Sequence, residues 1–327
     1  MRITKREHFG IQRKMVSHMT TESWRNVPHV TYMYEPDVTD FFAEYKKMNE
    51  KLDDESKITF NTLMLKTICK GLKAAPIMNS HIEFNRKFVT GRIDTFEDIN
   101  ISMPTILPNG EMMTINLRDF GSKSLEEMHD YIKDVKRRAE KTNLNEAMYS
   151  VSYDNTINSL KDGHFIRALM KLYGATFCNC NINHFRGKEK KEYESIPETE
   201  RLTIKDLEPG TVVISNVGST YLKQRGATAI LEIVPPMVTA FAVGSVQEKP
   251  TVVTHENGEK TIEIRKILPI CIAFDHRVLD FGDIVPFMQK LDEIFEKPEI
   301  IHEWLVYLEK AAHASSHSKK TSKRVSY

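Results

Sequence analysis

The chain has 327 residues, 40% of them hydrophobic and 28% charged, with 46 basic and 45 acidic side chains for a formal net charge of +1. That balance gives no basic stripe of the kind nucleic acid requires, and no run of residues reaches the apolar length that spans a bilayer. With no signal-peptide apolar region in the opening residues, the expectation is a cytoplasmic protein that binds neither nucleic acid nor membrane. Its length suits one large domain or a tight pair.

In chain order the pattern alternates helix and strand. Val30 to Pro36 reads as a strand. Thr39 can cap a helix bearing Phe42, Tyr45, Met48 and Leu52, and Thr59 a helix bearing Leu63, Ile68 and Leu72 that Pro76 ends. Strands follow at Ile99 to Met103 and Met113 to Leu117, and Ser124 with Glu127 forms a capping box ahead of Met128, Ile132 and Val135. Another helical stretch runs from Ile157 through Tyr173 to Gly174. From Cys178 to Glu200 the chain turns polar, as a surface excursion does. Further strands are expected at Val212 to Ser215, Thr239 to Gly244, Thr261 to Ile264 and Leu268 to Phe274. The fold class is therefore α/β or α+β with a mixed sheet. Residues 1–312 form the expected domain, and 313–327, rich in Ser, Lys and His, form a disordered basic tail.

The four cysteines are too few and too unevenly spread for a disulfide scaffold. Cys69 and Cys271 fall in apolar patterns where they behave as small hydrophobes. Cys178, Cys180 and His184 offer zinc-type donors, but their spacing and the missing fourth ligand argue against a metal, and none is expected.

The most informative stretch is Leu268 to Asp280. An apolar, β-favouring run is followed by charge at Asp275, then His276 and, four residues on, Asp280; Gly282 and Asp283 then open a helical pattern that Pro298 stops. An Asp-His-Arg triplet at a strand end is ordinarily a salt-bridged terminus, yet a histidine there is also well placed for general-base work.

This stretch resembles the His-x-x-x-Asp signature of the acyltransferase component of 2-oxo acid dehydrogenase complexes, a family that shares its fold with chloramphenicol acetyltransferase. Other segments agree in order: Thr211 through Ser215, Asn216 and Gly218 is similar to the family's Ile-Ser-Asn-x-Gly turn, and Pro235-Pro236 through Gly244 to its proline-bearing strand. Arg13 through Met19, Pro28-His29-Val30-Thr31 and Asp37-Val38-Thr39 resemble its opening, so the likeness runs from about residue 11 to about 300.

The resemblance implies acyl transfer between thiols, with coenzyme A as substrate and no covalently bound cofactor. His276 is then the expected base that takes a thiol proton, and Ser215 the expected donor to the oxyanion. Asp280 is expected to fix the histidine loop by pairing with an arginine, Arg13 being one partner considered, with Arg277 as further structural support. Asn216 and Gly218 are expected to shape a turn near the ligand, and His29 is a weaker substrate-binding candidate. The family's active site lies between subunits of a trimer, so a homotrimer or larger assembly is expected.

Two departures stand out. Phe281 occupies the place where the family continues with glycine, and the segment from Leu107 to Asp119 follows the family's Gly-Leu-x-Val-Pro-Val stretch only loosely. No lipoyl domain or Ala/Pro-rich linker is visible in this sequence, so the expectation is a lipoyl carrier in trans or a small-molecule acceptor. Three functions compete: a CoA-dependent acyltransferase using dihydrolipoamide, an acetyltransferase of a small hydroxyl compound, and a catalytically weak assembly core.

Overall fold

The computed structural model describes residues 2–106, 112–143, 145–147, 150, 185 and 187–305. The helical pattern from Ile157, the Cys178, Cys180 and His184 group and the tail lie outside them.

A long amino-terminal helix, α1 (Ile11–Asn26), leads into β1 (His29–Tyr34) and then α2 (Thr39–Glu50). Val38, not Thr39, precedes the first helical residue. The capping oxygen belongs to Asp37, whose carboxylate accepts from the Thr39 N–H at 2.9 Å and its hydroxyl at 2.6 Å. The expected cap on α3 (Phe60–Ala74) is present: Thr59 accepts from the Thr62 N–H at 3.1 Å. A hairpin, β2 (Ser80–Asn85) and β3 (Thr90–Thr95), is followed by β4 (Ile101–Ile106), β5 (Met112–Leu117) and α4 (Leu125–Glu140). α4 opens with the full capping box, Ser124 accepting from the Glu127 N–H and Glu127 from the Ser124 N–H. Within the polar excursion, α5 (Gly187–Glu194) buries only Tyr193.

The carboxyl-terminal half supplies β6 (Val212–Asn216), β7 (Thr239–Val243), the hairpin β8 (Gln247–Thr254) and β9 (Lys260–Ile267), β10 (Ile270–Asp275) and α6 (Phe281–Glu296). Six strands form one sheet in the order β1-β10-β7-β6-β4-β5, and it is mixed, as the sequence pattern leads one to expect. β7, β6 and β4 run parallel, while β10 is antiparallel to both β1 and β7. β7 and β10 are buried along their whole length, as an unbroken apolar run requires when both faces of a central strand are covered.

On one face α3 and α6 close over Phe241, Ile272 and Phe274, and the main core runs from Tyr34 to Leu305. The helices approach so closely at Gly71 that a Cβ there would lie 2.6 Å from Leu291 and Phe287. On the opposite face a smaller cluster of Val27, Val213, Ile233, Met237, Ala240 and Ala273 ties the end of α1 to the sheet. Alternation along β10 therefore sends Phe274 to the helices and Ala273 to the second face. No helix among the described residues is long and apolar enough to cross a membrane.

Candidate active site

β10 delivers the polar cluster at its last residue. Asp275 is fully buried and holds the Arg277 guanidinium through Nε at 3.0 Å and Nη2 at 2.5 Å, and also accepts from the Arg277 N–H at 2.9 Å. A buried carboxylate needs such a partner, and the bidentate fork supplies it. Two of the three residues of the triplet therefore anchor the strand end.

His276 is different. Its backbone N–H donates to Pro28 at 3.1 Å, tying the loop to the start of β1, while its side chain is 52% exposed. Nδ1 lies 3.1 Å from the Leu279 carbonyl and 3.2 Å from Asp280 Oδ1. A carbonyl can only accept, so the proton sits on Nδ1 and the lone pair on Nε2. Nε2 has no partner among the described residues, and the tautomer is the one a general base needs.

Asp280 stands at the amino-terminal end of α6, where its N–H donates to Asp283 at 2.7 Å. Among the described residues the expected arginine partner is not there. Its side chain is 82% exposed and faces His276, while Arg13 is exposed on α1 and Arg277 is engaged by Asp275. The turn over His276 to Val278 brings Asp280, four residues on, back to the histidine, so the local spacing determines its partner. Phe281 replaces the family's glycine without strain: its ring is half exposed and lies edge-on to Tyr32 at 5.3 Å.

Ser215 is half-buried near the end of β6, and its hydroxyl makes no hydrogen bond among the described residues. Asn216 Oδ1 caps the following turn by accepting from the Ser219 N–H at 2.9 Å, and its Nδ2 donates to Asn61 on α3 at 2.6 Å. At Gly218 a Cβ would lie 2.3 Å from the Gly244 carbonyl oxygen, so only glycine lets this turn pass under β7's exit. Asn216 and Gly218 thus build the turn that presents Ser215.

His29 is structural in this fold. Its Nδ1–H donates to the Val27 carbonyl at 2.7 Å, its Nε2 accepts from the Ile233 N–H at 3.0 Å, and Trp24 stacks on the ring at 4.8 Å. Both nitrogens are taken, which leaves none for a substrate. Cys69 and Cys271 are buried, and desolvation pushes their thiols up to about 12 and about 11, so neither is a nucleophile at neutral pH.

The strand register separates the two principal groups. Ser215 is paired with Ala242, and Ala242 with Cys271, five residues before His276 on β10. At about 3.3 Å per residue, His276 and Ser215 are separated by roughly 16 Å along the strand direction, toward opposite ends of the sheet. One chain does not bring them together.

A mixed sheet with its helical layer, and a histidine raised on the turn between its second strand and a closing helix, define the architecture of an acyltransferase catalytic core. The chain belongs to the 2-oxoacid dehydrogenases acyltransferase (catalytic domain) family, whose model matches residues 2–153 and 187–303. It is 23% identical over 287 residues to the dihydrolipoyllysine-residue acetyltransferase component of the pyruvate dehydrogenase complex of Zymomonas mobilis, covering 88% of this chain and 48% of that protein. The chain thus spans about half the length of this curated relative.

Among solved structures, the Azotobacter vinelandii dihydrolipoamide acetyltransferase superposes with a TM-score of 0.60 at 18% identity, covering 91% of this chain and 94% of that one. The catalytic roles investigated in that protein are those of a serine, a histidine and an asparagine four positions after the histidine. The cubic core of a pyruvate dehydrogenase multienzyme complex gives a TM-score of 0.56 at 17% identity, with 91% and 94% covered.

Proposed function

We propose that this protein is a CoA-dependent acyltransferase that moves an acyl group between coenzyme A and a thiol such as dihydrolipoamide, with residues 1–312 as one catalytic domain. The observation that carries the reading is the state of His276: Nδ1–H held by Leu279 and Asp280, on a half-exposed ring whose Nε2 has no partner among the described residues. A thiol is mostly protonated near neutral pH, and Nε2 is placed to take its proton as sulfur attacks the thioester carbonyl. The collapsing tetrahedral intermediate returns that proton to the departing thiolate, so the histidine ends each transfer as it began.

The oxyanion needs a donor, and the unpartnered hydroxyl of Ser215 is suited to that role. Because the register keeps Ser215 away from His276 of its own chain, the serine of one subunit serves the histidine of a neighbour. The protein therefore works as a homo-oligomer, a trimer or a larger core. Lipoyl groups reach the site from a separate lipoyl-bearing domain or protein.

The test is to incubate the purified protein with a panel of acyl-CoA thioesters and free dihydrolipoamide while following CoA release. Acyl-dihydrolipoamide should form at a rate that saturates in both substrates. CoA release only when a hydroxyl compound is supplied would assign the protein to O-acylation, and silence toward every acceptor would overturn the enzymatic reading.

A further inference from the structure

Beside the histidine loop, bordered by Pro28, which ties that loop's backbone, and by Arg277, lies a surface pocket of about 410 Å³ lined by three arginines from three separate elements. Arg25 comes from the last turn of α1, Arg86 from the β2–β3 hairpin, and Arg277 from the turn after β10. Phe84 forms one wall, with the Arg277 guanidinium 5.8 Å from its ring centre. No acidic residue lines the pocket.

The charges are not equivalent. Arg277 is neutralised by buried Asp275, whereas among the described residues Arg25 and Arg86 make no ion pair and no hydrogen bond. The carboxylates closest to them in sequence do not pair with them: Glu22 keeps its charge and accepts from the Asn26 amide at 3.1 Å, and Glu83 pairs with Arg92 at 3.3 Å. Two uncompensated guanidinium groups beside a third that is fixed in place make a cradle for a divalent anion, because a planar fork donates two parallel bonds to phosphate oxygens. A single carboxylate would leave one charge unanswered.

We propose that this pocket binds a phosphate or diphosphate group, with Arg25 and Arg86 as its principal ligands and Phe84 as an apolar wall for whatever the phosphate is attached to. The phosphate is either carried by coenzyme A or belongs to a free phosphorylated metabolite. Binding requires no turnover, so the site stands or falls separately from the acyl-transfer reading.

Titration calorimetry at low salt with inorganic pyrophosphate, adenosine 3',5'-bisphosphate and coenzyme A, on the wild type and on Arg25→Ala, Arg86→Ala and the double variant, tests the proposal. Each single loss should weaken binding about tenfold and the double loss more, since a charged hydrogen bond removed from a phosphate typically costs that much. Lysine at either position should restore part of the affinity, and Arg118→Ala, outside the pocket, should change nothing. Both arginines are exposed and unpartnered, so melting temperatures should hold. If coenzyme A and the bisphosphate lose affinity but pyrophosphate never binds, the site serves the coenzyme; if pyrophosphate binding depends on the arginines and coenzyme A binding does not, it serves a free metabolite. Equal affinity of wild type and double variant for all three probes, or an equal loss in Arg118→Ala, would overturn the site.

Discussion

His276 owes its chemistry to two neighbours that reach the same nitrogen, so substitutions there should separate catalysis from stability. His276→Ala should lower transfer by about 10²- to 10⁴-fold while the fold survives, because the ring is half exposed and meets the core only edge-on at Phe274, 6.3 Å away. Circular dichroism and single-turnover acyl transfer measure the two effects, and activity within a few-fold of wild type would remove the base assignment. Asp280 calls for a revised expectation. Had it been half of a buried ion pair, its loss would cost several kcal/mol; being 82% exposed, Asp280→Ala should lower the melting temperature by a few degrees at most. Turnover should still fall, because the imidazole loses one of two groups that orient it. Asp280→Asn, which keeps an oxygen toward Nδ1–H, should retain more activity than the alanine variant, and the reverse ranking would show that charge rather than orientation matters. For Ser215→Ala we expect turnover about 10²-fold lower with CoA affinity nearly unchanged, since the oxyanion exists only near the transition state. A pure Michaelis-constant effect would make Ser215 a binding residue instead.

At the level of elements, two contacts hold the frame that carries these groups. Gly218→Ala would drive a Cβ to 2.3 Å from the Gly244 carbonyl, so the turn after β6 must shift; the variant should lose about 1 to 3 kcal/mol in urea unfolding, and Ser215 function with it. On the other flank, Arg138 of α4 donates to Asp206 at 2.8 Å, with both side chains nearly buried. Burial alone would raise the Asp206 carboxyl, but bonds from Arg138 and Thr203 outweigh it and hold it below the usual carboxylate range. A depressed folded value stabilises the protein above the ordinary carboxylate pKa of about 4 and is lost as pH falls through the lower one. Arg138→Ala should therefore cost about 3 to 5 kcal/mol at neutral pH, by stranding a buried charge, and the gap from wild type should narrow in acid as Asp206 takes up a proton. The same elements show what a sequence can disclose. β7 and β10 were legible because strands covered on both faces leave unbroken apolar runs, and Thr59 and Ser124 because capping is local. The β2–β3 hairpin and β8 left no comparable signal: β8 carries Pro250 and charged residues, and β3 is exposed along nearly its whole length, so their pairing rests on backbone bonds and not on burial. The partner of Asp280 was hidden for another reason, since four-residue spacing announces a relation to His276 only once the chain between them is known to fold back in a turn ahead of the helix.

For the whole molecule the decisive fact is the sheet order. Because β10 runs antiparallel to β7 while β6 runs parallel to it, the end of β10 and the end of β6 point in opposite directions. His276 and Ser215 are consequently divided by about five residues of strand, roughly 16 Å, which no rotamer change can close. A site that uses both must draw them from different chains, and a cyclic assembly in which each subunit offers its histidine end to one neighbour and its serine end to the other repeats that contact around a closed ring. Two inactive variants should then rescue one another. When His276→Ala and Ser215→Ala proteins are mixed under conditions that exchange subunits, some interfaces combine an intact histidine with an intact serine. For random mixing at equal amounts, about a quarter of the sites are whole, and about a quarter of wild-type activity should return. The check is an acyl-transfer assay run alongside native mass measurement, so that exchange is shown independently of activity. Rescue should vanish if each variant is crosslinked within its own oligomer before mixing. Failure to recover activity despite demonstrated exchange, or full activity from a monomer, would mean that Ser215 is not the donor His276 uses, and the oxyanion group would have to be sought nearer the histidine end of the sheet.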